Sequence, residues 1–220
     1  MNPKTQKINA LLMLSGGFDS AVAAYLVKKE FQEKTQKDLE IIALHFSLEP
    51  FTNNTPEVKS RELCRILRIK KLIVIKHGDQ HSEIVKNCTH KYYYIISRRL
   101  MYRVAESIAK KEDCAFILNG ENLGQVGSQT LENMEVIDKA VNTREIPIIR
   151  PLLCFDKNEI IKIAKKIGTY EISKGPEMCS ILGPKHPATK SRLNIIENEE
   201  KNIDVERMVN ECLAQVSDKN

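Results

Sequence analysis

The sequence predicts an α/β fold: a doubly wound, mostly parallel five-stranded sheet with helices on both faces. Three observations point there. Short apolar runs alternate with helical patterns along most of the 220 residues, the rhythm of βαβ units. The apolar runs are continuous rather than alternating, as strands buried on both faces must be. The first of them ends in a small polar turn, Ser15-Gly16-Gly17-Phe18-Asp19-Ser20, that opens a helix. Such folds bind ligands at the carboxyl ends of strands.

Taken in order, residues 11–14 are a short apolar strand, and 20–36 carry a helical pattern. Residues 41–46 (Ile-Ile-Ala-Leu-His-Phe) are the second buried strand. A loop rich in Asn and Thr follows, and Thr55-Pro56-Glu57 resembles a helix start with proline at its first position. Residues 57–68 are then helical, and 72–75 form the third strand. From 82 to 111 the pattern is helical, with Leu100, Met101, Val104 and Ile108 on one face. Residues 115–118 are the fourth strand and 128–137 a helix. A short fifth strand at 148–149 precedes a helix over 156–167, which Gly168 closes. No linker is evident before residue 188. The reading divides the chain into a nucleotide-binding domain over 1–188 and a polar, helical appendage of that domain over 189–220.

The first loop carries most of the chemistry. A helix N-terminus offers unpaired N–H groups and a positive dipole end, and adjacent glycines let the backbone approach an anion closely. Ser15 and Ser20 add hydroxyls, and Asp19 can cap the helix or hold a cation. Neither the Walker pattern G-x-x-x-x-G-K-[ST] nor the dinucleotide pattern G-x-G-x-x-G occurs in the chain.

Composition narrows the class further. Hydrophobic residues make up 42% and charged residues 29%, ordinary for a globular protein. Neither a secretory leader nor an apolar run of about 20 residues is evident, so the expected location is the cytoplasm, with no membrane partner. The six cysteines, at 64, 88, 114, 154, 179 and 212, form no C-x-x-C pair and no zinc-type cluster; no side-chain metal site is expected. Cys64, Cys114 and Cys154 lie in apolar segments and read as buried thiols, Cys88 and Cys212 less plainly so. Net charge is +5 and unevenly spread: 59–76 and 86–111 each hold seven Lys or Arg and one acid, while 197–218 is acidic. Local basic surface suggests a polyanion such as RNA, and solvated helix faces are the plain alternative.

The string S-G-G-F-D-S resembles the S-G-G-x-D-S loop of ATP pyrophosphatases, which cut ATP between its α and β phosphates and attach AMP to a substrate oxygen. Residues 118–134, Leu-Asn-Gly-Glu-Asn-Leu-Gly-Gln-Val-Gly-Ser-Gln-Thr-Leu-Glu-Asn-Met, are similar to a G-E-x-L-G-Q-V-x-S-Q-T-L-x-N segment of the ThiI family. That family makes 4-thiouridine in tRNA and takes part in thiamine sulfur traffic. Arg150-Pro151-Leu152 with Asp156-Lys157, Ile167-Gly168-Thr169, Pro176-Glu177-Met178-Cys179 and Pro184-Lys185-His186-Pro187-Ala188-Thr189-Lys190 agree with it in order. The resemblance covers about residues 8–200 and implies an adenine nucleotide α-hydrolase fold, Rossmann-like, with bound ATP and Mg²⁺.

Residue by residue, the resemblance implies that Met13, Leu14, Ser15, Gly16, Gly17, Asp19 and Ser20 bind the nucleotide, with His45, Phe46, Arg99, Gly120 and Gln129. Asp19 and Cys179 are the implied catalytic residues. Sulfur insertion needs an adenylated uridine, a persulfide or hydrosulfide that displaces AMP, and a thiol that resolves the disulfide left behind. In the family the cysteine at position 179 is that thiol; Lys185 and His186 nearby supply the positive charge a thiolate favours. Full-length members carry an RNA-binding THUMP region before the catalytic domain, and some a rhodanese domain after it; only about seven residues precede the first strand here. The expectation is therefore a bare catalytic domain. It meets tRNA through its basic segments or a separate RNA-binding protein, and takes sulfur from an external donor such as a cysteine desulfurase persulfide or sulfide. A homodimer is the candidate assembly. Two other readings stay open: adenylation of a small molecule or protein carboxylate, and a non-enzymatic subunit that binds ATP or AMP.

Overall fold

A computed structural model describes residues 7–35, 37–124, 128–175 and 181–217. Five parallel strands, β1 (Lys7–Met13), β2 (Asp38–Ser47), β3 (Lys71–Lys76), β4 (Cys114–Leu118) and β5 (Ile148–Ile149), lie in the order β3-β2-β1-β4-β5. The chain winds outward from β1 to β3, then returns across the sheet to place β4 on the other side of β1. The order therefore reverses between β1 and β4, and the crevice of a doubly wound sheet opens at that point.

Helices cover both faces. On one, α1 (Phe18–Thr35), α2 (Thr55–Leu67), α6 (Lys157–Lys166) and α7 (Tyr170–Ser173) close over Leu12, Leu14, Ala43, Leu63 and Ile160. The run Ala21–Ala24 in α1 is buried, and its small side chains bring the helix axis close to β1. On the other face α3 (Gly78–Asn87), α4 (Tyr93–Lys111), α5 (Leu131–Asp138), α8 (Leu193–Glu200) and α9 (Val205–Ser217) enclose Leu11, Leu44, Ile75, Ile96 and Ile117. Local sequence accounts for several ends. Pro56 occupies the first turn of α2. A capping box starts α6: Asp156 accepts from the Asn158 N–H at 2.8 Å while Glu159 accepts from the Asp156 N–H at 2.9 Å. Gly168, at φ +76°, ends it.

Three segments depart from the sequence pattern. The continuous helix expected over 82–111 is broken: α3 ends at Asn87, a 3-10 turn spans His90–Tyr92, and α4 begins at Tyr93. The cause is tertiary. Glu199 of α8 accepts from the Thr89 N–H and its hydroxyl, both at 2.7 Å, and pins the chain out of helical geometry. The helix expected from 128 starts at Leu131, because the Thr130 hydroxyl accepts from the Asn133 N–H as an N-cap. Residues 191–216 are polar on their outer side only. Ile196, Met208 and Cys212 are buried in the core shared with α4, and α9 lies against α4 and β3.

The cysteine readings change too. Cys154 is exposed, whereas Cys88 and Cys212 are buried. Burial pushes the Cys64 and Cys88 thiols up to about 11, and those of Cys114 and Cys212 to about 12. None of these four is a thiolate near neutral pH.

Candidate nucleotide site

The site assembles at the switch point. The Leu14 N–H donates to the Leu44 carbonyl at 2.8 Å, prolonging the β1–β2 ladder into the loop. Met13 and Leu14 are buried beneath it, and Ser15 is exposed above. The loop braces itself. The Gly17 N–H donates to Ser15 Oγ at 3.2 Å, and Ser20 Oγ donates to the Gly17 carbonyl at 3.0 Å. Gly16 takes φ +84°, and a Cβ there would lie 2.9 Å from the Pro56 carbonyl oxygen. Only glycine satisfies both conditions at this position.

Gly120, just past β4, presses on the first turn of α1. A Cβ at Gly120 would stand 2.6 Å from the Asp19 carbonyl carbon and 2.6 Å from the Ser20 nitrogen. Two strand ends are thus in backbone contact across the crevice. The flanking Glu121 is buried. It accepts from Arg98 and from Arg150 at 2.8 Å each and from the Tyr102 hydroxyl at 3.1 Å. Burial alone would raise its pKa, but the Arg98 and Arg150 charges outweigh that and hold the carboxylate ionised.

Asp19 sits in the first turn of α1, and its carboxylate lies 3.2 Å from Lys157 Nζ. Lys157, which also covers the Phe18 ring at 4.4 Å, is a site residue that sequence reasoning left out. The available signal was its place directly after Asp156: the cap of α6 aims the first residue of the helix at the loop.

His45 is buried at the end of β2, and its Nδ1 lies 2.8 Å from the Leu14 carbonyl. A carbonyl only accepts, so Nδ1 carries the proton and Nε2 is left with a lone pair. Burial lowers the His45 pKa, so the ring stays neutral. Neither His45 Nε2 nor Gln129 Oε1, both buried, has a hydrogen-bond partner among the described residues. Buried polar atoms of that kind are costly unless something satisfies them, which fits a polar ligand in the crevice. Next to His45, the Phe46 ring packs on His77 at 5.1 Å, and His77 on His81 at 4.0 Å. His77 and His81 escaped the sequence reading, although their i, i+4 spacing at a helix start was visible.

Arg99 is not where the family resemblance places it. It is 2% exposed. Its Nε and Nη2 donate to Glu200 at 2.8 and 2.9 Å, and its Nη1 donates to the Val136 carbonyl at 2.6 Å. The guanidinium is committed to tying α4 to α5 and α8. Arg98, one position earlier and 33% exposed, pairs instead with Glu121 beside Gly120, as Arg150 does. Burial would raise the Glu200 pKa, but hydrogen bonds from Arg99 and Arg103 lower it further than burial raises it. Arg99→Ala is expected to destabilise the protein by about 1–3 kcal/mol, because it leaves the Val136 carbonyl without that donor and removes one of the two arginines on Glu200, Arg103 remaining. Urea denaturation reads this directly, and a loss below about 1 kcal/mol would show the pair to be incidental. Cys179 lies outside the described residues, as do Gln125 and Gly127. Of the flanking chain, the Lys174 carbonyl accepts from Lys59 Nζ at 2.9 Å and the Leu182 carbonyl from His90 Nε2 at 2.8 Å.

Fold and site together define an α/β protein of the adenine nucleotide α-hydrolase type, with a glycine-containing loop at its switch point. A family model described as thiamine biosynthesis protein (ThiI) matches residues 5–205, and the chain belongs to that family. Over 212 residues, 94% of this chain and 52% of the relative, it is 44% identical to a probable tRNA sulfurtransferase of Moorella thermoacetica. A second such protein, from Coxiella burnetii, is 40% identical over 213 residues, again 94% of this chain and 52% of the relative. A crystal structure of a 4-thiouridine synthetase–RNA complex with bound ATP superposes with a TM-score of 0.83 at 37% identity, over 94% of this chain and 53% of that one. The chain spans about half the length of the curated relatives it matches. An NAD⁺ synthetase from Burkholderia pseudomallei, 14% identical with a TM-score of 0.53 over 96% of this chain and 80% of that one, shares the fold alone.

Proposed function

We propose that this chain is the ATP-using part of a cytoplasmic tRNA sulfurtransferase. A uridine carbonyl oxygen attacks the α-phosphate of ATP and pyrophosphate leaves. Persulfide sulfur from an external donor then forms a C–S bond at the activated carbon and AMP leaves. Attack by the Cys179 thiolate on the resulting disulfide releases the thiocarbonyl and leaves an oxidised cysteine pair, which an external thiol reduces. The observation that carries this reading is the Ser-Gly-Gly loop at the β1–β4 switch point, backed by Gly120, in a chain of this family.

The chain's own groups have distinct tasks. The Ser15–Ser20 hydroxyls and loop N–H groups meet the β and γ phosphates, where charge develops. Lys157 adds positive charge at the same place and positions Asp19. Arg98, rather than Arg99, faces the nucleotide, and His45 Nε2 and Gln129 Oε1 receive its polar groups. Among the described residues no group of three or more His, Cys, Asp or Glu is placed to hold a metal ion. Mg²⁺ therefore fits the mode in which phosphates and a single carboxylate, here Asp19, hold it. When bound, it neutralises the leaving pyrophosphate.

The test is to incubate the protein with α-labelled ATP, unmodified tRNA and a sulfide source. AMP, pyrophosphate and thiolated nucleoside are the expected products. ADP would sink the reading, and AMP formation indifferent to tRNA would move it to another acceptor. Cys179→Ser is expected to abolish persulfide-dependent transfer while ATP binding persists; undiminished transfer would remove Cys179 from the mechanism.

A further inference from the structure

Half of the cations in the sequence-dense basic stretches are neutralised by acids from elsewhere in the chain. In the first, Arg61 pairs with Glu57, Lys71 with Glu112 and Lys76 with Glu49. In the second, Arg98 pairs with Glu121, Arg99 and Arg103 share Glu200, and Lys110 sits between Glu106 and Glu145. Without a described carboxylate partner are Lys86, Lys91 and Lys111 of the second stretch, and of the first Lys59, which donates to the Lys174 carbonyl, and Arg65, Arg68 and Lys70, which lie where α2 ends and β3 begins. That is the amino-terminal edge of the sheet, opposite the crevice.

A different basic surface lies at the crevice. Residues 181–192 contain Lys185, His186, Lys190 and Arg192 and no acid. All four are exposed. The structure binds this segment to two elements that start at the carboxyl ends of strands. The Ala188 N–H donates to the Lys91 carbonyl at 2.9 Å, in the 3-10 turn that leads into α4. At the N-terminus of α5, Thr130 Oγ1 donates to the Thr189 carbonyl at 2.8 Å and Asn133 Nδ2 to the Ala188 carbonyl at 2.9 Å. Asn133, fully buried, also accepts from Ser191 Oγ at 2.7 Å. Gly183 lies against the Tyr94 ring, where no side chain would fit. His90 and Lys91 are exposed alongside. Among the described residues only Lys190 of these has a carboxylate near it, Glu132 at 3.6 Å. No described carboxylate pairs with Lys91, Lys185 or Arg192.

We infer that this fixed basic rim, Lys91 with Lys185, Lys190 and Arg192, is the surface on which the RNA backbone lies while its target base reaches the crevice. The inference rests on the tRNA reading above and adds the surface to it. Unpaired, exposed cations on a braced segment suit phosphates, which contribute affinity and position without reading sequence.

The experiment measures binding of a fluorescent, unmodified tRNA to the 220-residue chain by anisotropy across a KCl series. Lys91→Ala and Arg192→Ala, singly and together, are compared with Arg65→Ala/Lys70→Ala at the opposite edge. Each rim substitution is expected to lower the slope of log K against log salt by about 0.7–0.9, with the affinity for ATP unchanged. The opposite-edge pair is expected to keep the wild-type slope. A rim double variant with the wild-type slope overturns the surface while leaving the tRNA reading in place, as does an opposite-edge pair that loses as much as the rim pair. Wild-type protein that prefers polyglutamate to tRNA overturns both.

Discussion

Gly120→Ala is expected to lower kcat/KM for AMP formation by on the order of 100-fold, the penalty for displacing a reacting group by about an ångström. The atoms a new Cβ would meet are backbone, the Asp19 carbonyl carbon and the Ser20 nitrogen at 2.6 Å, and neither can swing aside as a side chain could. Relief requires the first turn of α1 to move, and with it the Asp19–Lys157 pair and the N–H groups of the loop. Pyrophosphate release from ATP and tRNA measures the loss, and a urea titration separates it from unfolding. Wild-type kcat/KM in a folded Gly120→Ala protein would show that the contact does not set the loop.

The second large effect is acid sensitivity. His45, His77 and His81 form a buried cluster in which burial lowers every pKa. For His77 the neighbouring His81 and His45 add to it; His81, with Arg98 also nearby, falls to about 3. The unfolded chain titrates these rings near 6.5, so below that pH it binds more protons than the folded state does. The stability linked to the cluster is therefore complete above about pH 6.5 and is lost as pH falls toward the folded values. His77 and His81 each contribute a slope of about 1.4 kcal/mol per pH unit. At pH 5 these two together remove about 4 kcal/mol, a large share of the whole stability of a small domain, about 5–15 kcal/mol. Urea midpoints should fall steeply from pH 7 to 5, and the His77→Gln/His81→Gln protein should lose most of that slope. A flat wild-type profile would mean the cluster is hydrated and free to titrate.

The trio also shows what kinds of feature escape a linear reading. His45 stood out because it ends an apolar run. His77 and His81 acquire meaning only when β3 is laid beside β2 and Phe46 is brought against His77. Arg98 and Arg99 are equally basic neighbours in sequence. A helix turns about 100° per residue, so one reaches Glu121 at the crevice and the other is buried on Glu200. The basic stretches likewise look like open charge until the acids that neutralise them, such as Glu112 for Lys71 or Glu200 for Arg103, arrive from distant segments.

By itself the sequence determined the βαβ alternation, the parallel sheet and the glycine loop at the end of its first strand. These follow from hydrophobic period, helix caps and backbone freedom, all local properties. The tertiary structure alone decided the strand order that sets β4 beside β1, and so the contact of Gly120 with Asp19 and Ser20. It also decided the break at Thr89, the burial of Met208 and Cys212 and the exposure of Cys154, and which cations remain unpaired. Each of these depends on groups far apart in the chain, whose approach is set by packing and charge pairing rather than by the residues on either side.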